Sequence, residues 1–167
     1  MIQAKFFGGN IVTEASDQAR ELYNKNKFGV IKKSSVVLSL FEAFYLIEKG
    51  KIAIKGLSED AFLKKAKKQL KNFPTKYVVF RDLRDRGYIV KTALKFGAEF
   101  RVYDKGIQPG QDHAKWIVYP VHESETMTWH DFSAKNRVAH STKKNLLIGI
   151  VDDENDCTYY EISWKRP

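Results

Sequence analysis

The chain has 167 residues, and 29 Lys plus Arg against 20 Asp plus Glu give a formal net charge of +9, so that a polyanionic partner is the first expectation. At 43% hydrophobic and 13% aromatic residues there is enough apolar material for a core, in one domain or two small ones, so disorder is excluded. The single Cys157 cannot form an intramolecular disulfide, the longest apolar run, near residues 146–151, is far below the ~18 residues of a membrane span, and the start Met1-Ile2-Gln3-Ala4-Lys5 lacks a signal-peptide layout, which together predict a soluble, cytoplasmic protein without membrane contact.

In chain order, Phe6-Phe7 and Ile11-Val12 flank Gly8-Gly9-Asn10, a hairpin signal because Gly and Asn supply the positive φ of such turns. A helix follows from Ser16 with Ala19, Leu22 and Tyr23 on one side. Ser34 or Ser35 is the expected N-cap of a stronger helix, in which Val37, Leu40, Phe41, Phe44 and Tyr45 recur at helical spacing, with Gly50 past its end. A strand over residues 51–55 leads to Ser58, the cap of a third helix with apolar stripe Phe62, Ala66, Leu70 and Phe73. Its lysines 64, 65, 67, 68 and 71 are expected to form a solvated face.

Phe73-Pro74-Thr75 is the expected boundary, since Pro74 cannot continue a helix. The organisation is therefore an α+β protein, with a small N-terminal mixed domain over residues 1–73 and a C-terminal domain over residues 74–167. In the second part, residues 77–86 read as a helix ended by Gly87, and residues 88–90, 100–103 and 116–119 read as strands. A short helix near residues 128–135 precedes strands at 137–141 and 145–151, then the polar turn Asp152-Asp153-Glu154-Asn155-Asp156, then a last strand from Cys157 to Trp164. The stretch 145–151 is apolar on both faces, which predicts a central strand covered on both sides.

The residues of chemical interest cluster between Tyr103 and His113. Strand alternation places Phe100 and Val102 on one face and Glu99, Arg101 and Tyr103 on the other, so Tyr103 is expected on the polar, solvent-reached side. His113 follows the turn-rich Asp104-Lys105-Gly106-Ile107-Gln108-Pro109-Gly110 and precedes the apolar strand, a usual location for a catalytic side chain. On composition alone the structural reading of both residues is favoured. His122 with Glu123 and His130 with Asp131 lack metal-ligand spacing, Gly106 with Gly110 is not a phosphate loop, Gly-x-Ser-x-Gly is absent, and Cys157 lies beside an acidic turn that disfavours its thiolate. Neither metal nor cofactor is expected.

Three segments read together are more specific: Arg81-Asp82-Leu83-Arg84-Asp85-Arg86-Gly87-Tyr88-Ile89-Val90-Lys91-Thr92, then Lys95-Phe96-Gly97-Ala98-Glu99-Phe100-Arg101-Val102-Tyr103 with His113, then Arg137-Val138-Ala139-His140-Ser141-Thr142-Lys143-Lys144. In order and spacing they resemble the archaeal tRNA-splicing endonucleases. The similarity extends to Leu38-Ser39-Leu40-Phe41-Glu42-Ala43-Phe44-Tyr45-Leu46, so it covers nearly the whole chain.

The resemblance implies a catalytic trio on Tyr103, His113 and Lys144, the lysine being placed by the count from Arg137 with Lys143 adjacent. It departs at Ala114, where the family commonly has Ser after the histidine. It implies metal-independent cutting of precursor tRNA at bulge-helix-bulge exon–intron junctions, with the RNA's own 2′-hydroxyl as nucleophile and 2′,3′-cyclic phosphate and 5′-hydroxyl ends as products. Tyr103 would be general base, His113 general acid and Lys144 the cation that stabilises the pentacovalent phosphorus. Imidazole suits the acid role because its ordinary pKa of about 6.5 makes both protonation states accessible near neutrality. Arg137, and either Lys165 or Arg166, would grip extruded bases. Asp152, Asp153, Glu154 and Asp156 would form an acidic loop that docks into a basic cleft of another subunit. The implied assembly is a homotetramer, with a heterotetramer containing a structural subunit as the alternative. The rival reading is a non-catalytic structural or RNA-binding subunit.

Overall fold

A computed structural model describes residues 1–93, 99–111 and 113–167, so the Lys95-Phe96-Gly97-Ala98 part of the second motif lies outside the described residues. Two compact units result, Met1–Phe73 and Pro74–Pro167. Each holds one five-stranded sheet among its described residues, which is the expected α+β class.

In the first unit, β1 (Ile2–Phe7) and β2 (Asn10–Thr13) pair antiparallel with Phe7 opposite Asn10. The turn is therefore Gly8-Gly9, both at positive φ (57° and 82°), and Asn10 begins the strand. Helix α1 (Asp17–Asn26) starts where Ser16 Oγ accepts the Ala19 amide at 3.1 Å. Next come β3 (Val30–Lys32), which the sequence did not signal, and β4 (Ser35–Leu38). Here the expected helix start fails: Ser35 opens a strand, and the cap is Ser39, at the start of α2 (Leu40–Glu48). The β-branched pair Val36-Val37 suits the pleated sheet, where Val37 pairs with Val12 of β2 and with Val30 of β3. Ser39 and Glu42 make a reciprocal capping box, and the buried Glu42 carboxylate accepts the amides of Ser39 (3.0 Å) and Gly29 (2.9 Å).

Strand β5 (Ile52–Ile54) adds in parallel to β1, completing the order β3-β4-β2-β1-β5. Helix α3 (Glu59–Gln69) is capped by Ser58 as expected, and its buried Phe62 stacks on Phe44 of α2 at 5.8 Å. Phe73 is fully buried against Phe41 (5.0 Å).

Helix α4 (Phe73–Asp85) starts one turn earlier than the periodicity predicts, because Pro74 occupies its first turn, where a missing N–H costs nothing. It ends at Gly87 (φ 96°), as expected. The second sheet runs β10-β9-β8-β7-β6, with β6 (Ile89–Thr92), β7 (Phe100–Tyr103), β8 (Trp116–His122), β9 (Asn145–Val151) and β10 (Cys157–Ile162). All pairs are antiparallel except β8 with β9.

Between β8 and β9 lies α5 (Trp129–Ser141), one continuous helix in place of the expected short helix and strand. The local Val138-Ala139 pair mimics a strand, but Ala139 is the helix residue that enters the core, against Ile117, Tyr119, Leu146 and Ile148. On the opposite sheet face, Phe80 of α4 packs on Phe100 (5.7 Å). There a Cβ on Gly149 would come within 3.1 Å of Val79, so the absence of a side chain sets the close approach of helix and sheet. Strand β9 is thus covered on both faces, as its apolar run predicts. Among the described residues no helix is long and apolar enough to cross a membrane.

Candidate active site

The sheet connectivity of the second unit brings distant segments to one end. Because β7 and β8 are antiparallel, the end of β7 at Tyr103 lies beside the start of β8, which His113 precedes. Because β8 and β9 are parallel, with Trp116 opposite Asn145, Lys144 arrives at that same end. Backbone bonds tie the three together: the Lys115 amide donates to the Val102 carbonyl at 2.9 Å, and the Asn145 amide to the Lys115 carbonyl at 3.0 Å.

Tyr103, His113 and Lys144 line one cleft of about 430 Å³, together with Arg101, Gly110, Gln111 and Ala114. Ala114 is buried in the wall, so the residue that departs from the family pattern is part of the site. Tyr103 differs from expectation in being only 7% exposed. Its sheet face is also the α5 face, since Arg101, two residues earlier, pairs with Ile117 of the α5 core. His113 is exposed in the loop. That loop is built from local bonds: Asp104 Oδ1 accepts the Lys105 amide (2.9 Å), Gln111 Oε1 accepts the Gln108 amide (3.1 Å), and Gly106 and Gly110 take positive φ of 82° and 92°.

The end of α5 decides which lysine faces the cleft. Thr142 is the C-cap, Lys143 follows in the left-handed region (φ 58°), and the amides of Lys143 and Lys144 donate to the carbonyls of His140 (3.0 Å) and Ala139 (2.8 Å). This is a Schellman closure, which reverses the chain so that successive side chains diverge. Lys143 is exposed, whereas Lys144 lines the cleft and donates from Nζ to the Thr142 carbonyl at 2.9 Å.

The lining carries the fixed cations Arg101 and Lys144 and the titratable His113, and none of its described residues is acidic. Such a lining attracts an anion, and the hydroxyl, imidazole and ammonium groups have the proton-moving and charge-stabilising capacity that phosphodiester chemistry needs. Arg101 was not singled out as a site residue in the sequence, although its two-residue spacing from Tyr103 was the available signal. Burial pushes the Cys157 thiol up, with the Asp82 carboxylate adding to the rise, which disfavours the thiolate.

The other candidates stand outside the cleft. Arg137 is exposed on α5, and Lys165 and Arg166 are exposed beyond β10. The Trp164 ring lies 4.3 Å from that of His140, which brings the C-terminal tail to the last turns of α5, and Arg166 lies over Trp164 at 5.5 Å. In the acidic turn, Asp152 Oδ1 accepts the amides of Glu154 and Asp156 at 2.9 Å, so this carboxylate holds the turn from within. The Asp153 side chain is 85% exposed and meets His122 Nε2 at 3.0 Å, and Glu154 and Asp156 are exposed.

Residues 73–159 match the tRNA intron endonuclease catalytic C-terminal domain, and residues 2–63 match the tRNA intron endonuclease N-terminal domain. The tRNA-splicing endonuclease of Thermococcus onnurineus (strain NA1) is 41% identical over 169 residues, covering 99% of this chain and 97% of that protein. That of Methanothermobacter thermautotrophicus (strain Delta H) is 42% identical over 165 residues, covering 96% of each, and that of Nanoarchaeum equitans (strain Kin4-M) is 46% identical over 140 residues, covering 78% of this chain and 90% of the relative. With both domains matched in order and relatives aligned over nearly their full length, the chain belongs to the tRNA intron endonuclease family and is an endonuclease.

Proposed function

We propose that this endonuclease cuts precursor tRNA at bulged exon–intron junctions by attack of the RNA's own 2′-hydroxyl, with no metal ion in the reaction. The observation that carries this reading is the meeting of Tyr103, His113 and Lys144 in one cleft without an acidic lining residue among those described. Tyr103 removes the 2′-hydroxyl proton, His113 protonates the departing 5′-oxygen, and Lys144 offsets charge on the pentacovalent phosphorus. One P–O bond forms as the other breaks, leaving a 2′,3′-cyclic phosphate and a 5′-hydroxyl. The trio also speaks against a purely structural subunit. Incubation with a bulge-helix-bulge RNA in excess EDTA tests the reading: cutting at both junctions with cyclic-phosphate ends is expected, and cutting that needs added metal contradicts it.

Substrate grip in this reading falls to Arg137 with Lys165 or Arg166. Arg137 lies three residues before His140, which touches Trp164, so α5 and the tail offer these cations on a common surface. A guanidinium lies flat on an extruded base and an ammonium does not, so Arg137→Lys is expected to weaken bulged-RNA binding roughly tenfold despite keeping the charge. Unchanged binding in a filter assay would reduce Arg137 to a point charge.

The working unit is a homotetramer in which the acidic turn docks into a basic cleft of a neighbouring copy. Asp152 is needed inside the turn, so the test neutralises only the outward carboxylates. The combined Asp153→Asn, Glu154→Gln and Asp156→Asn variant is expected to fall to dimers, or to become salt-sensitive, in light scattering. A parent chain that cuts RNA as a monomer would contradict the tetramer.

A further inference from the structure

We infer that Arg101 is a further catalytic residue of the cleft, which grips a non-bridging oxygen of the phosphate to be cut; this rests on the reading of the cleft as the cleavage site. Arg101 and Tyr103 share one face of β7, and both line the cleft. The Nε of Arg101 is buried and has no hydrogen-bond partner among the described residues. A buried donor left without an acceptor is exceptional in a folded protein, and a guanidinium cannot escape the problem by losing its charge.

The protein does not supply the missing acceptor from the nearest acidic residue along the chain. Glu99 is engaged instead by Lys76, with Nζ 3.0 Å from its Oε1. No described residue of the lining carries a carboxylate, so none of them offsets the charge that Arg101 brings to the cleft. An anion with two acceptor oxygens in a plane completes that arrangement, and the non-bridging oxygens of a phosphodiester match the guanidinium fork.

The two fixed cations then divide the work. Lys144 is a point charge whose Nζ is already steered by the Thr142 carbonyl. Arg101 approaches from the strand that carries Tyr103, so a phosphate held by its fork is oriented relative to the base. Orientation of this kind aligns the 2′-oxygen, phosphorus and leaving 5′-oxygen for in-line displacement.

The test compares the parent, Arg101→Met and Arg101→Lys on a bulge-helix-bulge RNA, with single-turnover cleavage measured on the ribose form. Binding as a function of salt is measured on RNA whose nucleotide 5′ to the cut is 2′-deoxy. Arg101→Met is expected to lower the cleavage step on the order of 10²-fold and to reduce the slope of log affinity against log salt by about 0.7, one phosphate contact on a single strand. Arg101→Lys is expected to keep the slope and lose roughly tenfold in cleavage, since it retains charge without the fork. A methionine variant with the parent's slope and rate overturns the proposal. Should that variant not fold, Arg101→Lys at the parent's rate overturns it alone. His113→Ala is run alongside: full activity of that variant would defeat the cleavage-site reading, whereas its loss beside an unaffected Arg101→Met defeats only the role given to Arg101.

Discussion

His113→Ala is expected to slow the cleavage step by about 10²- to 10⁴-fold while RNA binding persists. Departure of the 5′-oxygen as an alkoxide is the costly part of the reaction, and a positioned acid removes that cost by transferring a proton as the P–O bond breaks. His113 is suited to this by place as well as by chemistry. It is exposed at the mouth of the loop and lines the cleft, so a bound strand reaches its ring without displacing core residues. Its neighbour Ala114 is buried, which anchors the backbone from which the imidazole projects. Single-turnover cleavage and binding measured on the same preparation separate the two effects. Weak binding with an unchanged cleavage step would make His113 a structural residue.

The second large effect belongs to Lys144. Lys144→Met is expected to lower the cleavage step on the order of 10²- to 10³-fold, the magnitude of losing one preorganised group aimed at developing charge. Lys143→Met is expected to change it little. The difference follows from the end of α5, where Lys143 holds the left-handed residue of the closure and points outward, and Lys144 turns into the cleft. Equal losses in the two variants, with both folded by circular dichroism, would mean that this backbone closure does not select the cation.

Much of the architecture was legible where a local chemical signal is unambiguous. Ser16 and Ser58 cap α1 and α3, Gly8-Gly9 turns the first hairpin, and the apolar run of β9 announces a strand covered on both faces. Two local readings failed because a stronger signal lay a few residues away. Ser35 looked like a helix cap, yet Val36 and Val37 favour the sheet and Ser39 with Glu42 forms the better cap. Val138-Ala139 looked like a strand, but helical spacing from Phe132 through Ala139 places both against the core.

The site was legible differently. The resemblance picked out Tyr103, His113 and Lys144, but nothing local says that a loop and a helix end far apart in sequence share a cleft. That follows from the parallel pairing of β8 with β9, which depends on the whole intervening crossover and leaves no short-range signature. The burial of Tyr103 has no local signature either, since strand alternation separates the two faces but does not tell how far the chain encloses the polar one.

The most direct test of the account uses the parent protein and two RNAs that differ in one oxygen. Each carries the same bulge-helix-bulge, and in one the nucleotide 5′ to the cut is 2′-deoxy. Attack by the RNA's own hydroxyl predicts that both bind equally and that only the ribose form is cut. Cleavage of the deoxy RNA at the same bond would show that the nucleophile comes from elsewhere, and would contradict the mechanism built on Tyr103, His113 and Lys144.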